Sequence, residues 1–356
     1  MKSTKIKRTV NLLTLVLAMI LSQACNTDDK EIPVEDSSLL LLNEKMLNFE
    51  NIHSYTDFFD NYNEQKFSSL IKSSSFTSFR QAKASKTSIS KMINFIDEEE
   101  MDLKIYDLIN DQGFIKLGKY IVRLDLITKT VFVSENSDQN TLKLMYNSKK
   151  DDQDVFSFSF DYNVAELLEL CEENDTTLAE GIYLYETNGD GNSSKAACSS
   201  ASGKNDAREK CGDNRYEYNE KAYSAKVKLE YEKFGIYFSV KAKVKNYIVN
   251  SVCNPYNSGF QSIRYTRCDI NKKKKKCKVF KCKCKDDWQF DWSRSNITIT
   301  EGSGYDQNSD RYVTTHQAYE SSRGLQAYAV SAIITYSPTL GLTGAQSKTL
   351  SISSNL

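Results

Sequence analysis

Residues 223–244 read YSAKVKLEYEKFGIYFSVKAKV, and their alternation decides the fold of the second half of the chain. Successive strand side chains point to opposite faces. Tyr223, Ala225, Val227, Leu229 and Tyr231 therefore fall on one side of an extended backbone, and Ser224, Lys226, Lys228 and Glu230 on the other. After a turn at Lys233 to Gly235, Ile236, Phe238, Val240, Ala242 and Val244 repeat the pattern against Lys241, Lys243 and Lys245. A period of two on both arms predicts an antiparallel hairpin with one apolar face and one wet face.

On the C-terminal side, further strands are expected at 260–268, 277–285, 295–300, 311–319 and 325–336, with turns at Asn254-Pro255 and from Gly302 to Asn308. Seven short strands at this spacing predict a mainly antiparallel β-sandwich over residues 215–356. Composition agrees, since 21 Tyr and 17 Phe against 3 Pro favour strands.

On the N-terminal side, residues 187–214 turn to Gly, Ser, Asn, Asp and Lys and read as a linker. Residues 43–186 mix the two periods and predict an α+β module. Ser54 and Asp57 have capping-box spacing, and Tyr55, Phe58, Phe59 and Tyr62 follow at helical intervals, predicting a helix to about Ile71. Residues 72–88 are rich in Ser, Thr and Lys and read as a loop. A second helical pattern runs from Ile89 through Ile93 and Ile105 to Ile109. The period switches to two at Phe114–Leu117, Tyr120–Leu126 and Val131–Ser134, a small meander, and again at Phe156–Tyr162. Asn163 is placed to cap a helix carrying Leu167, Leu168 and Cys171, and Ile182–Tyr185 reads as a short strand. The run from Asn110 to Arg123, NDQGFIKLGKYIVR, resembles a segment of uncharacterised Bacteroidota lipoproteins whose amino-terminal module ends in such a meander. The resemblance implies an α+β module and no activity.

Residues 1–24 read as a signal peptide. Lys2, Lys5, Lys7 and Arg8 precede the apolar run Val10–Leu21, which falls short of the roughly 20 residues a spanning helix needs. Leu21-Ser22-Gln23-Ala24-Cys25 resembles a bacterial lipobox, with ordinary cleavage after Ala24 as the rival. Cysteine parity favours a lipid on Cys25, because removing it from nine cysteines leaves eight, an even number suited to an oxidising compartment. The acidic Asn26 to Glu31 resembles the tag that sends Bacteroidota-type lipoproteins to the outer face of the outer membrane, and residues 25–42 serve as a flexible tether.

The densest feature is Lys272–Lys276 followed by CKVFKCKCK, nine lysines within the fourteen residues 272–285. Strand parity puts Lys281, Lys283 and Lys285 on one face and Phe280, Cys282 and Cys284 on the other, joined there by Trp288, Phe290 and Trp292 if the strand continues. On the functional reading this basic ridge docks an anionic glycan, lipopolysaccharide or another acidic surface. The rival is a lysine-protected sheet edge. Cys268, Cys277, Cys282 and Cys284 lack the paired spacing of a zinc site. Together with Cys198, Cys211 and Cys253 they are expected in disulfides, Cys198 and Cys211 as a local pair.

Basic and acidic residues cancel at 47 each, so no whole-chain field points to nucleic acid. The two histidines, His53 and His316, accompany no nucleophile elbow, zincin helix or phosphate loop. Glu186–Gly191 and Asp306–Asp310 alternate oxygen ligands but have Ala197 and Gln317 where a calcium loop needs Glu. No catalytic residue, metal or cofactor is expected. The chain reads as a surface lipoprotein, anchored in the outer membrane through Cys25, that binds a ligand or glycan without catalysis. The alternatives are an accessory subunit of a cell-envelope complex and, third, a secreted hydrolase.

Overall fold

The chain divides into Met1–Leu41 and Leu42–Leu356. The computed structural model describes residues 45–60, 65, 67–68, 76–85, 92–93, 103–151, 153–187, 206–208, 216–218, 221–249, 254–255, 260–278, 281–291, 297–301, 313–325, 327–337 and 344–354. Within 206–221, 254–260, 271–301 and 313–316 the description is of backbone pairing. The expected leader, Cys25 and the tether lie outside these residues.

The expected meander is present in a five-stranded sheet of β1 (Asn48–Phe49), β2 (Phe114–Leu117), β3 (Tyr120–Asp125), β4 (Thr130–Ser134) and β5 (Phe156–Ser159), in that order. β1 lies parallel to β2 and the other pairs are antiparallel. Helices α1 (Ile52–Asp60), α2 (Phe79–Ser85), α3 (Ile105–Leu108), α4 (Gln139–Tyr146), α5 (Val164–Asn174) and α6 (Leu178–Thr187) accompany it.

Three local readings change. The cap of α1 is Asn51 rather than Ser54. Asn51 Oδ1 accepts from the Ser54 amide at 2.7 Å, while the Glu172 carboxylate, 120 residues away, accepts from the Ile52 amide. The segment expected to be a loop contains α2, which buries Phe79 and Ala82 and is tied to the start of α3 by Arg80 and Asp107 at 2.7 Å. The expected strand at 182–185 is helix α6. Its N-terminus is a capping box, in which the Thr177 amide donates to Glu180 and the Glu180 amide donates back to the Thr177 hydroxyl. Gly181 allows α6 to close on α5, since a Cβ there would meet Cys171 Sγ at 2.0 Å.

The hairpin read at 223–244 forms as β8 (Lys221–Lys233) and β9 (Phe238–Ile248), with Val227 opposite Val244 and Tyr231 opposite Val240. β6 (Asp206–Arg208) and β7 (Tyr216–Tyr218) pair with the free edge of β8. β10 (Asn254–Pro255) and β14 (Val313–Ser321) pair with that of β9, making six strands. β6 falls within the stretch read as a linker and belongs to this sheet.

The third sheet holds β11 (Phe260–Lys278), β12 (Lys281–Asp291), β13 (Ile297–Glu301), β15 (Ala327–Ser337) and β16 (Gln346–Ser353). β11 runs through 19 residues without a break, where two separate strands were expected. Every pairing in the second and third sheets is antiparallel. Val227, Leu229 and Val240 share one apolar cluster with Ile263, Ile270, Val330 and Ile352. The chain thus has α+β character, with antiparallel sheets in its C-terminal region.

The turn between β8 and β9 belongs to a different core. Phe234, Ile236 and Tyr237 join Tyr55, Phe79 and Leu168 in the cluster of the α+β module. Gly235, at φ +73°, donates to Phe160 O at 3.0 Å and accepts from the Val164 amide at 2.9 Å. Asn163 does sit at the α5 cap, but its Oδ1 accepts from the Gly324 amide at 3.0 Å.

The hairpin's second face is not wet. Ser224, Glu230, Ser239, Lys243 and Lys245 are buried, and Lys241 keeps 1% of its surface. The charges can enter because they pair, Lys241 with Glu230 at 3.2 Å and Lys228 with the same carboxylate, while Glu232 lies 3.5 Å from Lys241.

Candidate functional site

β11 outruns its neighbour. Its pairing with β15 ends at Asn271 opposite Ala327, and from Lys273 to Lys278 it pairs with β12 alone among the described residues. The projecting part is a two-stranded ribbon, and its register organises the lysines. Lys274 stands opposite Lys285, Lys276 opposite Lys283, and Lys278 opposite Lys281. Directly opposed residues of an antiparallel pair share a face. The face read for Lys281, Lys283 and Lys285 therefore gains Lys274, Lys276 and Lys278, six lysine positions in all. Neighbouring positions are about 6.8 Å apart along a strand and about 4.5–5.5 Å apart across it at Cα. Three opposed like-charge pairs oppose formation of this ribbon.

At the base of the ribbon the register shifts. β11 advances from Asn271 to Lys273 while β12 goes from Gln289 to Asp286, so Asp287 and Trp288 stand against Lys272 in a bulge. An extra residue reverses the parity beyond it. Phe290 pairs with Ile270, whose face continues into Lys274, so Phe290 shares the lysine face and not the cysteine face expected for it. At Ile270 and Cys268 that same face of β11 is core. Trp288 lies in the bulge, and Trp292 lies outside the described residues.

The cysteine expectations divide. Cys268 is a buried free thiol opposite Val330, which corrects its assignment to a disulfide. Its surroundings are the apolar core, and burial pushes the thiol up to about 12. Cys171 is likewise buried and free. Cys277, Cys282 and Cys284 lie on the ribbon, whereas Cys198, Cys211 and Cys253 lie outside the described residues.

Sequence reasoning missed two other features. The buried charges on β8 and β9 form a coupled set. Burial raises Glu230, but Lys241 and Lys228 outweigh it and hold the carboxyl below its ordinary value. Burial, and then the charge of Glu230, pushes Glu232 up to about 8. The signal was present in the hairpin register, which sets Glu230 opposite Lys241. The second is an open cleft of about 520 Å³ between the loop after β4 (Glu135, Asn136), the approach to β5 (Gln153, Asp154, Phe156) and the start of α6 (Leu178). Lys119 holds Glu135 at 3.1 Å.

His53 is exposed on α1 beside Asp57 at 3.2 Å, and His316 is opposite Ala242 in register. Among the described residues no three His, Cys, Asp or Glu side chains gather as metal ligands, and no helix is long and apolar enough to cross a membrane.

Fold and ribbon together define a class, an α+β chain whose antiparallel sheets carry a projecting basic β-ribbon. No protein-family model matches the sequence, and no curated protein matches it. Among solved structures the chain is similar to a DUF4848 family protein from Bacteroides thetaiotaomicron, at 10% identity over 87% of this chain and 98% of that one, with a TM-score of 0.18. A likeness at that score carries no argument.

Proposed function

We propose that the chain is a non-catalytic binding protein of a bacterial outer-membrane surface, anchored by a lipid on Cys25, whose β11–β12 ribbon docks an anionic glycan. The observation that carries this reading is the register of six lysine positions on one ribbon face. Edge protection needs scattered lysines along an unpaired strand. It gives no reason to set lysines opposite one another across a ladder, where their repulsion works against pairing. A linear polyanion laid along the ribbon would turn that repulsion into attraction, in a manner weakened by salt. In this reading the second and third sheets pack as a β-sandwich and give the ribbon a fixed base.

The test uses the full chain in detergent, with Lys281, Lys283 and Lys285 changed to Gln. Binding to a sulfated glycan and to lipopolysaccharide at low salt should weaken at least about tenfold, with the melting temperature nearly unchanged, since phosphate- or sulfate-type contacts act mainly through charge. A wild-type chain without affinity for either would overturn the reading.

A further inference from the structure

We propose that Cys277 and Cys282 are joined by a disulfide that clips the two strands of the basic ribbon near its tip. The two positions are directly opposed in the β11–β12 ladder. Opposed residues in such a ladder have Cα atoms about 4.5–5.5 Å apart, inside the window of roughly 4.4–6.8 Å that a disulfide requires, and they share a face.

The other cysteines of the region fit worse. Cys284 stands opposite Lys275. It is also two residues from Cys282 on one strand, a separation of about 6.8 Å that sits at the limit of the window. Cys268 is a free thiol in the core, nine residues back along β11 and therefore roughly 30 Å from Cys277.

The bond forms by thiol–disulfide exchange with a small or protein disulfide of an oxidising compartment. One cysteine thiolate attacks that disulfide and releases a thiol. The second cysteine then attacks the mixed disulfide and releases another, so two protons and two electrons leave the pair and the oxidant is reduced to two thiols.

The loop closed by the bond contains only Lys278 to Lys281, so its effect on overall stability is small and its effect on register is large. A two-stranded ribbon is marginal by itself, and this one carries three opposed lysine pairs. A slip of one residue would move one strand's lysines to the other face. The clip thus holds the docking face in register, a consequence that rests on the glycan-binding reading, whereas the bond itself rests on pairing alone.

Phe280 lies between the two cysteines, so chymotrypsin can separate their fragments. The full chain would be alkylated without reduction, cleaved, and the fragments weighed. Those holding Cys277 and Cys282 should stay joined in the wild type and in C284S, and come apart in C277S and C282S. Separate fragments in the wild type, or joined fragments in C282S, would overturn the bond. Polyanion binding is read on the same samples. Joined fragments in a wild type that binds no polyanion would support the bond and defeat the docking reading. C282S should lose affinity toward the level of the triple lysine variant.

Discussion

The hydroxyl of Tyr237 donates to the carboxylate of Glu320, 83 residues further along the chain. Tyr237 sits in the turn that enters the core of the α+β module, whereas Glu320 belongs to β14 of the second sheet. Lys104, just before α3, completes the cluster as an ion pair with the same carboxylate. The two cores of the chain are therefore tied by charge as well as by packing. Burial, and then the nearby Glu320 charge, pushes the Tyr237 phenol well above its ordinary range, so it remains a donor at any physiological pH.

Replacing Glu320 by Ala removes the acceptor from the buried Tyr237 hydroxyl and one ion-pair partner from the half-buried Lys104. The expected cost is about 2–4 kcal/mol, and Tyr237→Phe should cost about 1 kcal/mol because only the hydrogen bond is lost. Urea unfolding of both variants and of the double variant measures the coupling. A strictly additive double variant would show that the hydroxyl and the carboxylate act independently.

Glu232 predicts a pH dependence whose sign is fixed by its raised pKa. The folded chain keeps this carboxyl protonated to about pH 8, while the unfolded chain releases the proton near the ordinary glutamate value. Its contribution to stability is therefore fully present below that ordinary value and is lost as pH rises through about 8. Glu230 has the opposite sign, because its carboxyl is held low and its contribution fades as pH falls. The stability difference between wild type and Glu232→Gln, followed by thermal melts from about pH 5 to about pH 9, should fall steadily as pH rises. A difference constant across that range would contradict the coupled pair.

Gly181 and Cys171 define a packing test. A Cβ at Gly181 would meet Cys171 Sγ at 2.0 Å, so Gly181→Ala should destabilise by about 1–3 kcal/mol, although Ala is otherwise the better helix residue. Cys171→Ala clears that space. The double variant should recover most of the loss, and chemical denaturation showing two additive losses would mean the helices separate instead.

The parts of the fold that were legible are those fixed by short-range pattern. From Tyr223 to Val244 the period of two continues on both arms of one turn, and β8 and β9 follow it. Alternation says which residues share a face, but not what lies over that face. The burial of Lys241, Lys243 and Lys245 was therefore out of reach. The α1 cap was hidden because half of it comes from Glu172 on α5. The run from Ile182 to Tyr185 looked like a strand on β-propensity, while the signal that wins, Thr177 with Glu180, lies just upstream. β16 was passed over because Ser and Thr outnumber the inward Leu350 and Ile352. On the ribbon, the β12 lysines could be grouped by parity, but their partners on β11 required the register, and the bulge that moves Phe290 required both strands.

That register supplies the sharpest test of the ribbon. If docking belongs to one face, Lys274, Lys276 and Lys278 should matter as much as Lys281, Lys283 and Lys285, although they lie on a different strand. Lys273 and Lys275 are their immediate neighbours in sequence but fall on the alternate face, opposite Asp286 and Cys284. Changing Lys274 and Lys276 to Gln should therefore weaken sulfated-glycan binding and flatten its salt dependence, because fewer cations meet the polyanion. Changing Lys273 and Lys275 removes the same net charge from the same strand and should do markedly less. Binding curves over a salt series compare the two double variants directly. Equal losses would mean that the lysines act as a diffuse charge cloud, and the face assigned by the β11–β12 ladder would then have no part in recognition.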